Sequence, residues 1–267
     1  MISDMNLRFA ANLTMLYGEV PFLDRFALAA EAGFAAVEFL FPYQEGIEEI
    51  RSRIDDLGLT VVLFDVPPGD LEAGELGTLA NPLRKDHFNW SLAHALEVAD
   101  RLKCQRLNVL AGNRVTAFER AAQIDCVVEN LMWAAPQAAD AGVTLLIEPL
   151  NATDRPDYLV HTTAAAMEIV RRANHPQVWL QYDVYHAQME EGNLINTVSA
   201  NLPFIAHVQI ADVPGRHEPG TGEINYPAIF TRLEALAYRG YIGLEYAPSR
   251  ETNVSLDWLP ADLRKRA

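Results

Sequence analysis

Short apolar runs that end on a polar residue alternate with amphipathic stretches along the whole chain. The clearest is Val143-Thr-Leu-Leu-Ile-Glu148, bounded by Gly142 before it and Pro149 after it. Apolar and β-branched residues between such punctuation read as a strand buried on both faces, the kind found in parallel sheets. The same reading predicts strands at Leu7 to Ala11, Ala36 to Phe41, Thr60 to Asp65, Arg106 to Leu110, Val143 to Glu148, Val178 to Asp183, Ile205 to Ile210 and Tyr241 to Glu245. Between them apolar residues recur at steps of three and four, as at Ile47, Ile50, Ile54 and Leu57 or Leu92, Ala95, Leu96 and Ala99, the mark of amphipathic helices. Gly33, Gly58, Gly142 and Gly240 each stand just before a run, where a helix C-terminus turns directly into a strand. Eight alternations predict a (β/α)8 TIM barrel, an α/β fold in a single domain over residues 1–267 with a C-terminal extension after about 247. A doubly wound open sheet is the competing topology. No Gly-x-Gly-x-x-Gly follows any strand, which weakens a dinucleotide-binding version of it.

Parallel α/β barrels collect their chemistry at the C-terminal ends of the strands. Glu148 ends the fifth predicted strand, Asp183 the sixth and Glu245 the eighth, and Gln209 lies in the seventh within His207-Val-Gln-Ile. They are 35, 26 and 36 residues apart, each about one strand-helix unit of ~30 residues, so the four side chains are expected to meet at one mouth. Two glutamates, an aspartate and an amide oxygen form a hard, oxygen-only set that suits Mg²⁺ or Mn²⁺. Such an ion chelates adjacent hydroxyl and carbonyl oxygens of a small substrate and stabilises the enediolate left when the intervening carbon loses a proton. Glu148 and Glu245 are the candidate acid and base, for isomerisation or epimerisation without a redox cofactor. A single carboxylate at a strand end is more often a helix N-cap or an ion-pair partner, so the weight lies in four at matching positions. Gln209 is the weakest of them, since an amide in a strand can simply hydrogen-bond in the core. Glu38 and Asp65 also stand at strand ends, with no role assigned.

Composition narrows the partners. Half of the 267 residues are hydrophobic, enough for a large core. A formal charge of −15, from 36 acidic against 21 basic residues, repels phosphate backbones and argues against nucleic acid. Cys104 and Cys126, both read as lying in helical segments, are expected to be buried free thiols. Met1-Ile-Ser-Asp-Met-Asn lacks the basic flank and apolar core of a leader, and no window approaches ~18 consecutive apolar residues, so a cytoplasmic protein with no membrane contact is expected.

Two long connections follow strand ends. Residues 66–82, rich in Gly and Pro, are expected to form a lid, and residues 211–224 concentrate donors and acceptors. His186, three residues past Asp183, either donates to a substrate hydroxyl or caps the loop after its strand. Arg216 either grips a substrate carboxylate bidentately or is a solvated surface arginine. Glu48-Glu49 and Arg264-Lys265-Arg266 read as a solvated helix face and a solvated tail. Trp258 and Leu259 are expected to pack on the barrel or on a second subunit, which permits a homo-oligomer.

The chain resembles the xylose isomerase-like barrel superfamily and, within it, the hydroxypyruvate isomerase and 2-oxo-tetronate isomerase group. The resemblance runs over nearly the whole length and rests on Phe64-Asp-Val-Pro-Pro-Gly69-Asp70, Leu107-Asn108-Val-Leu-Ala-Gly112, Glu148-Pro-Leu-Asn151, Tyr182-Asp183-Val-Tyr-His186, His207-Val-Gln209-Ile-Ala-Asp212, Pro214-Gly-Arg216-His217-Glu218-Pro-Gly220-Thr-Gly222-Glu223 and Gly243-Leu-Glu245-Tyr. It implies a divalent metal, Mg²⁺ or Mn²⁺, held by Glu148, Asp183, Gln209 and Glu245. It further implies Glu148 and Glu245 as the proton-transfer pair, and His186 and Arg216 on a small sugar or sugar-acid substrate. Relatives that epimerise ketoses usually carry His where Gln209 stands, so the glutamine favours the sugar-acid isomerases. Relatives also place an acidic residue six positions after the first glutamate, which is Asp154 here. Two positions depart from the family pattern: Asp65 stands where the relatives carry Asn, and Leu76 where they carry Arg. The first adds a carboxylate and the second removes a positive charge near an anionic substrate, which weakens its binding by Coulomb repulsion.

The resemblance thus points to a metal-dependent aldose-ketose isomerase of a short sugar acid, such as hydroxypyruvate or a 2-oxo-tetronate. A ketose 3-epimerase is the nearest alternative. An abasic-site nuclease of the same superfamily needs a histidine-rich zinc site, and a chain with seven histidines and this charge offers it poorly. A non-catalytic sugar-binding barrel is the third alternative, suggested by Asp65 and Leu76.

Overall fold

The computed structural model describes residues 5–266; Met1 to Asp4, part of the N-terminal segment read above as lacking a leader, lie outside the described residues. Eight parallel strands close in sequence order into a barrel. They are β1 Arg8–Asn12, β2 Ala36–Glu38, β3 Thr60–Asp65, β4 Arg106–Asn108, β5 Thr144–Ile147, β6 Val178–Asp183, β7 Ile205–Ile210 and β8 Tyr241–Leu244. β8 returns to β1 through Tyr241 to Leu244 against Arg8 to Ala11, so every strand has two neighbours. The surrounding helices are α1 Phe22–Glu31, α2 Ile47–Leu57, α3 Lys85–Leu102, α4 Arg120–Asp140, α5 Thr163–Ala173, α6 Val184–Glu190, α7 Leu194–Asn201 and α8 Tyr226–Ala235, with α9 Thr252–Ser255 and α10 Ala261–Arg264 after the last strand. Among the described residues no helix is long and apolar enough to cross a membrane.

Several strands stop earlier than their apolar runs suggest, and this frees the site. β2 ends at Glu38 because the Leu40 N–H is taken by the Thr14 hydroxyl (2.9 Å) and Pro42 opens a turn of 3-10 helix. β5 ends at Ile147, just ahead of Glu148-Pro149, whose proline has no N–H to give a ladder. β8 ends at Leu244. Glu148 and Glu245 therefore stand one residue past the last paired position.

Two apolar layers support the barrel. The larger joins the outward-facing strand residues to the helices, and a smaller cluster holds Ala10, Ala36, Val62, Leu63, Leu146 and Tyr241. The guanidinium groups of Arg8 and Arg106 lie 4.4 and 5.9 Å from the centre of the Tyr241 ring.

Some local expectations are corrected. Gly33, Gly58 and Gly142 do take left-handed φ, but Gly240 does not: α8 stops at Ala235 and Ala237 makes the left-handed turn. Gly240 is instead required for room, since a Cβ there would lie 2.2 Å from the Tyr238 hydroxyl and 2.9 Å from the Ala206 carbonyl oxygen. Cys126 is in α4, whereas Cys104 lies past the end of α3, its thiol donating to the Arg106 carbonyl (3.2 Å); both thiols are free and buried. The C-terminal extension folds onto its own barrel. Trp258 stacks on Phe230 at 6.0 Å and meets Phe9 edge-on, and Leu256, Leu259 and Leu263 are buried. Arg264 is not a solvated tail residue: its guanidinium donates to the carbonyls of Ala32, Leu256 and Leu259, stapling the extension to the end of α1.

Candidate active site

The ends of β5 and β6 bring three predicted residues together. Glu148, Asp183 and His186 are buried and offer ligand atoms within 4.8 Å of one another. Asp183 does cap a helix, as an isolated aspartate at a strand end suggests, for its Oδ1 accepts from the Tyr185 N–H (2.7 Å) at the start of α6. Its Oδ2 is buried with no hydrogen-bond partner. Arg216 reaches in from the loop after β7, its Nη2 2.6 Å from Glu245 Oε2 and 3.7 Å from Asp183 Oδ2, so the surface-arginine alternative is excluded. The Tyr185 ring lies under that guanidinium, 5.0 Å from its centre. Asn108 donates to Glu148 Oε2 (2.7 Å).

Burial and crowding set the charges. Burial pushes Glu148 well above the usual carboxylate range, helped by Glu245, Asp183 and Asp65 and opposed by the Asn108 hydrogen bond. Burial likewise raises Glu245 to about 8, with Asp183 and Glu38 adding to the push and Arg216 pulling the other way. Desolvation works against the charge on Arg216, yet Glu245, Asp183 and Glu148 hold it above its ordinary value. Asp65 is also raised, first by burial and then by Glu245 and Glu38. A carboxyl held toward its neutral form blunts the extra repulsion expected at this position.

His186 takes up the loop-capping alternative of its sequence reading and keeps its other nitrogen free. Its Nδ1 accepts from the backbone N–H of Asn151 (3.1 Å), which anchors the loop after β5. The ring proton is therefore on Nε2, which faces Asp183 Oδ2 at 3.7 Å and can donate to a bound oxygen. Burial lowers its pKa to about 4, so the ring is neutral near pH 7. Asp154 sits on the exposed rim, where its Oδ2 accepts from the Tyr185 hydroxyl (2.8 Å) and Asn151 Nδ2 (3.0 Å). Gln209 is beside Asp183 in the register of β6 and β7, but its amide is engaged: Oε1 accepts from Gln181 Nε2 (2.6 Å) and Nε2 donates to Glu38 Oε1 (2.9 Å).

The family pattern of the xylose isomerase-like TIM barrel matches residues 26–261. The chain belongs to this family. It is 44% identical over 252 residues to the 2-oxo-tetronate isomerase of Cupriavidus necator, covering 94% of this chain and 97% of that one. It is 40% identical over 253 residues to the hydroxypyruvate isomerase of Escherichia coli, covering 95% and 98%. The crystal structure of a Brucella melitensis protein called AP endonuclease, family 2, superposes with a TM-score of 0.92 at 44% identity, covering 94% and 97%. At these identities, over nearly full length, the chain is an isomerase.

Both long connections of the isomerase are well anchored. In residues 66–82 the carboxylate of Glu75 pairs with Arg84 (2.5 Å) and accepts from the Asp70 N–H (2.7 Å), while Gly77 packs against the Leu110 carbonyl so closely that a Cβ would lie 2.1 Å from its oxygen. Leu76 packs against the apolar core. In residues 211–224 the Asp212 carboxylate accepts from the N–H groups of Val213, Gly220, Gly222 and Ile224, and this hub presents Arg216 in a left-handed conformation (φ 56). Asn12, Asn108, Gln181, His207 and Tyr185 also contact the site or its supports and escaped the sequence reading. Period-two alternation was the available signal, for Gln181 and His207 each lie two residues before a predicted ligand on the same face of the strand.

Proposed function

We propose that this isomerase interconverts the ketose and aldose forms of a short sugar acid, hydroxypyruvate and tartronate semialdehyde or the corresponding 2-oxo-tetronate pair, at a site that takes Mg²⁺ or Mn²⁺. The observation that carries the reading is the chain of close approaches from Glu148 to Asp183 to Arg216 to Glu245. The donor set fits a hard divalent ion: Asp183 Oδ2 has no partner, and carboxyls this crowded and buried need a counter-charge. Glu148, Asp183, Gln209 and Glu245 would hold it, and when bound it stabilises negative charge on adjacent substrate oxygens.

The rest of the chemistry belongs to the chain. One of Glu148 and Glu245 takes the proton from the hydroxyl-bearing carbon, the hydroxyl proton passes to the former carbonyl oxygen, and the other carboxyl delivers a proton to the former carbonyl carbon, so a raised pKa suits the residue that donates. Arg216 offers a planar donor face to the substrate carboxylate, and His186 Nε2–H offers a hydrogen bond to a hydroxyl or carbonyl oxygen. Asp154 acts one step out, holding the Tyr185 hydroxyl and Asn151. The nuclease alternative finds little support, because Glu148, Asp183 and His186 are the one cluster of three or more potential His, Cys, Asp or Glu ligands among the described residues.

The test is exchange of the substrate's α-proton with solvent deuterium, followed by NMR. Glu148→Gln and Glu245→Gln are expected to lower it by about 10²- to 10⁴-fold while circular dichroism stays unchanged; full exchange in both variants removes the pair. Product spectra from hydroxypyruvate beside those from fructose and tagatose separate the isomerase from a ketose 3-epimerase.

A further inference from the structure

The site leaves the buried carboxylate of Glu38 without a task. Glu38 is fully enclosed, with Asn12 Nδ2 and Gln209 Nε2 both donating to its Oε1 at 2.9 Å and His207 Nε2 standing 2.7 Å from its Oε2. His207 Nδ1 has no partner, so the ring proton lies on Nε2 and points at the carboxylate. Three donors from β1 and β7 thus converge on one acceptor from β2. Asn12 cannot turn round, because its own Oδ1 accepts from the N–H groups of Thr14 (3.1 Å) and Met15 (3.3 Å). Gly243 makes the room: a Cβ there would lie 2.2 Å from Glu38 Oε1, and its φ is not one that would otherwise call for glycine.

A primary amide can present either end, and only its oxygen binds a cation. With Glu38 accepting from Gln209 Nε2, the oxygen is forced to the opposite side, where Gln181 occupies one lone pair and the other stays free. Resting on the metal reading given above, we propose that Glu38 is a positioning residue that locks the Gln209 amide with its oxygen available to the divalent ion and its NH2 group turned away. Glu38 itself touches neither the ion nor substrate. Gly243, two residues before Glu245, is in this scheme the vacancy that lets β8 deliver one ligand while housing the carboxylate that orients another.

The test is Mn²⁺ titration of the whole protein followed by electron paramagnetic resonance, with circular dichroism to check the fold. Glu38→Met is expected to weaken Mn²⁺ binding by about 10- to 100-fold. Adding Gln209→Glu to that variant is expected to recover most of the loss, since a carboxylate presents oxygen whichever way it turns. A role confined to filling space predicts no such rescue. Glu38→Gln keeps an acceptor for Asn12 and Gln209, because His207 can move its proton to Nδ1, so its loss is expected to stay below about tenfold. Unchanged binding in Glu38→Met, or no recovery in the double variant, overturns the proposal alone. If Glu38→Met does not fold, a loss above about tenfold in Glu38→Gln overturns it. Lack of Mn²⁺ binding by the unaltered protein, or an unchanged Kd in Gln209→Ala, removes the metal reading itself and this proposal with it.

Discussion

The two halves of the barrel end their strands in the same residue types and use them in opposite ways. After β5, β6 and β8 the carboxyls are under-served: Asp183 Oδ2 has no partner, and Glu148 and Glu245 are driven upward by burial and by neighbouring carboxyls, Asp183 acting on both. At the ends of β1, β2 and β4 the polar groups are largely spent on each other and on the opposite half. Asn12 serves Glu38, Glu38 serves Gln209 and His207, and Asn108 serves Glu148. Asp65 at the end of β3 breaks the division, since its Oδ1 is buried and unpartnered. A strand-end carboxylate is therefore held as a support when neighbours supply donors and is left under-served when they do not.

The largest effect expected from this division is catalytic. Glu148→Gln should lower α-proton exchange by about 10²- to 10⁴-fold, the range for loss of a general acid or base. Asn108→Leu, which removes the hydrogen bond to Glu148 but leaves both candidate proton-transfer residues in place, should cost about tenfold in kcat. Equal losses would erase the distinction between the halves.

The next effect is on stability against pH. Glu245 has a folded pKa of about 8 against an ordinary 4.5, so the folded state holds its proton more tightly. The stability it contributes is complete below about 4.5 and is lost as pH rises through about 8. His186 runs the other way: lowered from 6.5 to about 4, its contribution is complete above about 6.5 and is lost as pH falls toward 4. The two windows overlap between about pH 4.5 and 6.5 and offset each other there, so without metal Tm should fall as pH rises beyond about 6.5, with Glu148 and Asp65, both raised, adding to the fall. Mn²⁺ should raise Tm more at pH 8 than at pH 6, and its binding should release protons, read by calorimetry in buffers of different ionisation enthalpy. A flat Tm profile, or binding without proton release, would show that the under-served half is not short of counter-charge.

Gly243→Ala comes third, pressing a methyl group onto the Glu38 carboxylate. Overpacking of this kind costs about 1–3 kcal/mol, each kcal/mol lowering Tm by about 2–4 °C in a protein of this size. The smallest effect belongs to the solvated rim, where Arg101→Ala should change stability by less than about 0.5 kcal/mol, although Arg101 pairs with both Glu48 and Glu97.

Much of the molecule was legible along the chain, because strand number, helix faces and the Gly33, Gly58 and Gly142 turns follow from neighbours a few residues apart. The eight strands and the polar ends of β5, β6 and β8 needed no more than period, punctuation and spacing, whereas the pairing of β8 with β1 decided closure over an open sheet. Strand bounds slipped where a partner elsewhere ended the ladder, as Thr14 does for β2. Gly240 and Gly243 were beyond such reasoning, since each is dictated by a side chain that the fold brings against it. Whether Arg216 faced solvent or Glu245, and which groups met Glu38, depended on contacts across 29 and 171 residues of sequence. Local pattern determined which groups this protein would carry to one end of a barrel. Only the folded enclosure decided their protonation, their orientation and which of them have partners, because burial removes water and leaves each polar atom to whatever partner the tertiary structure supplies.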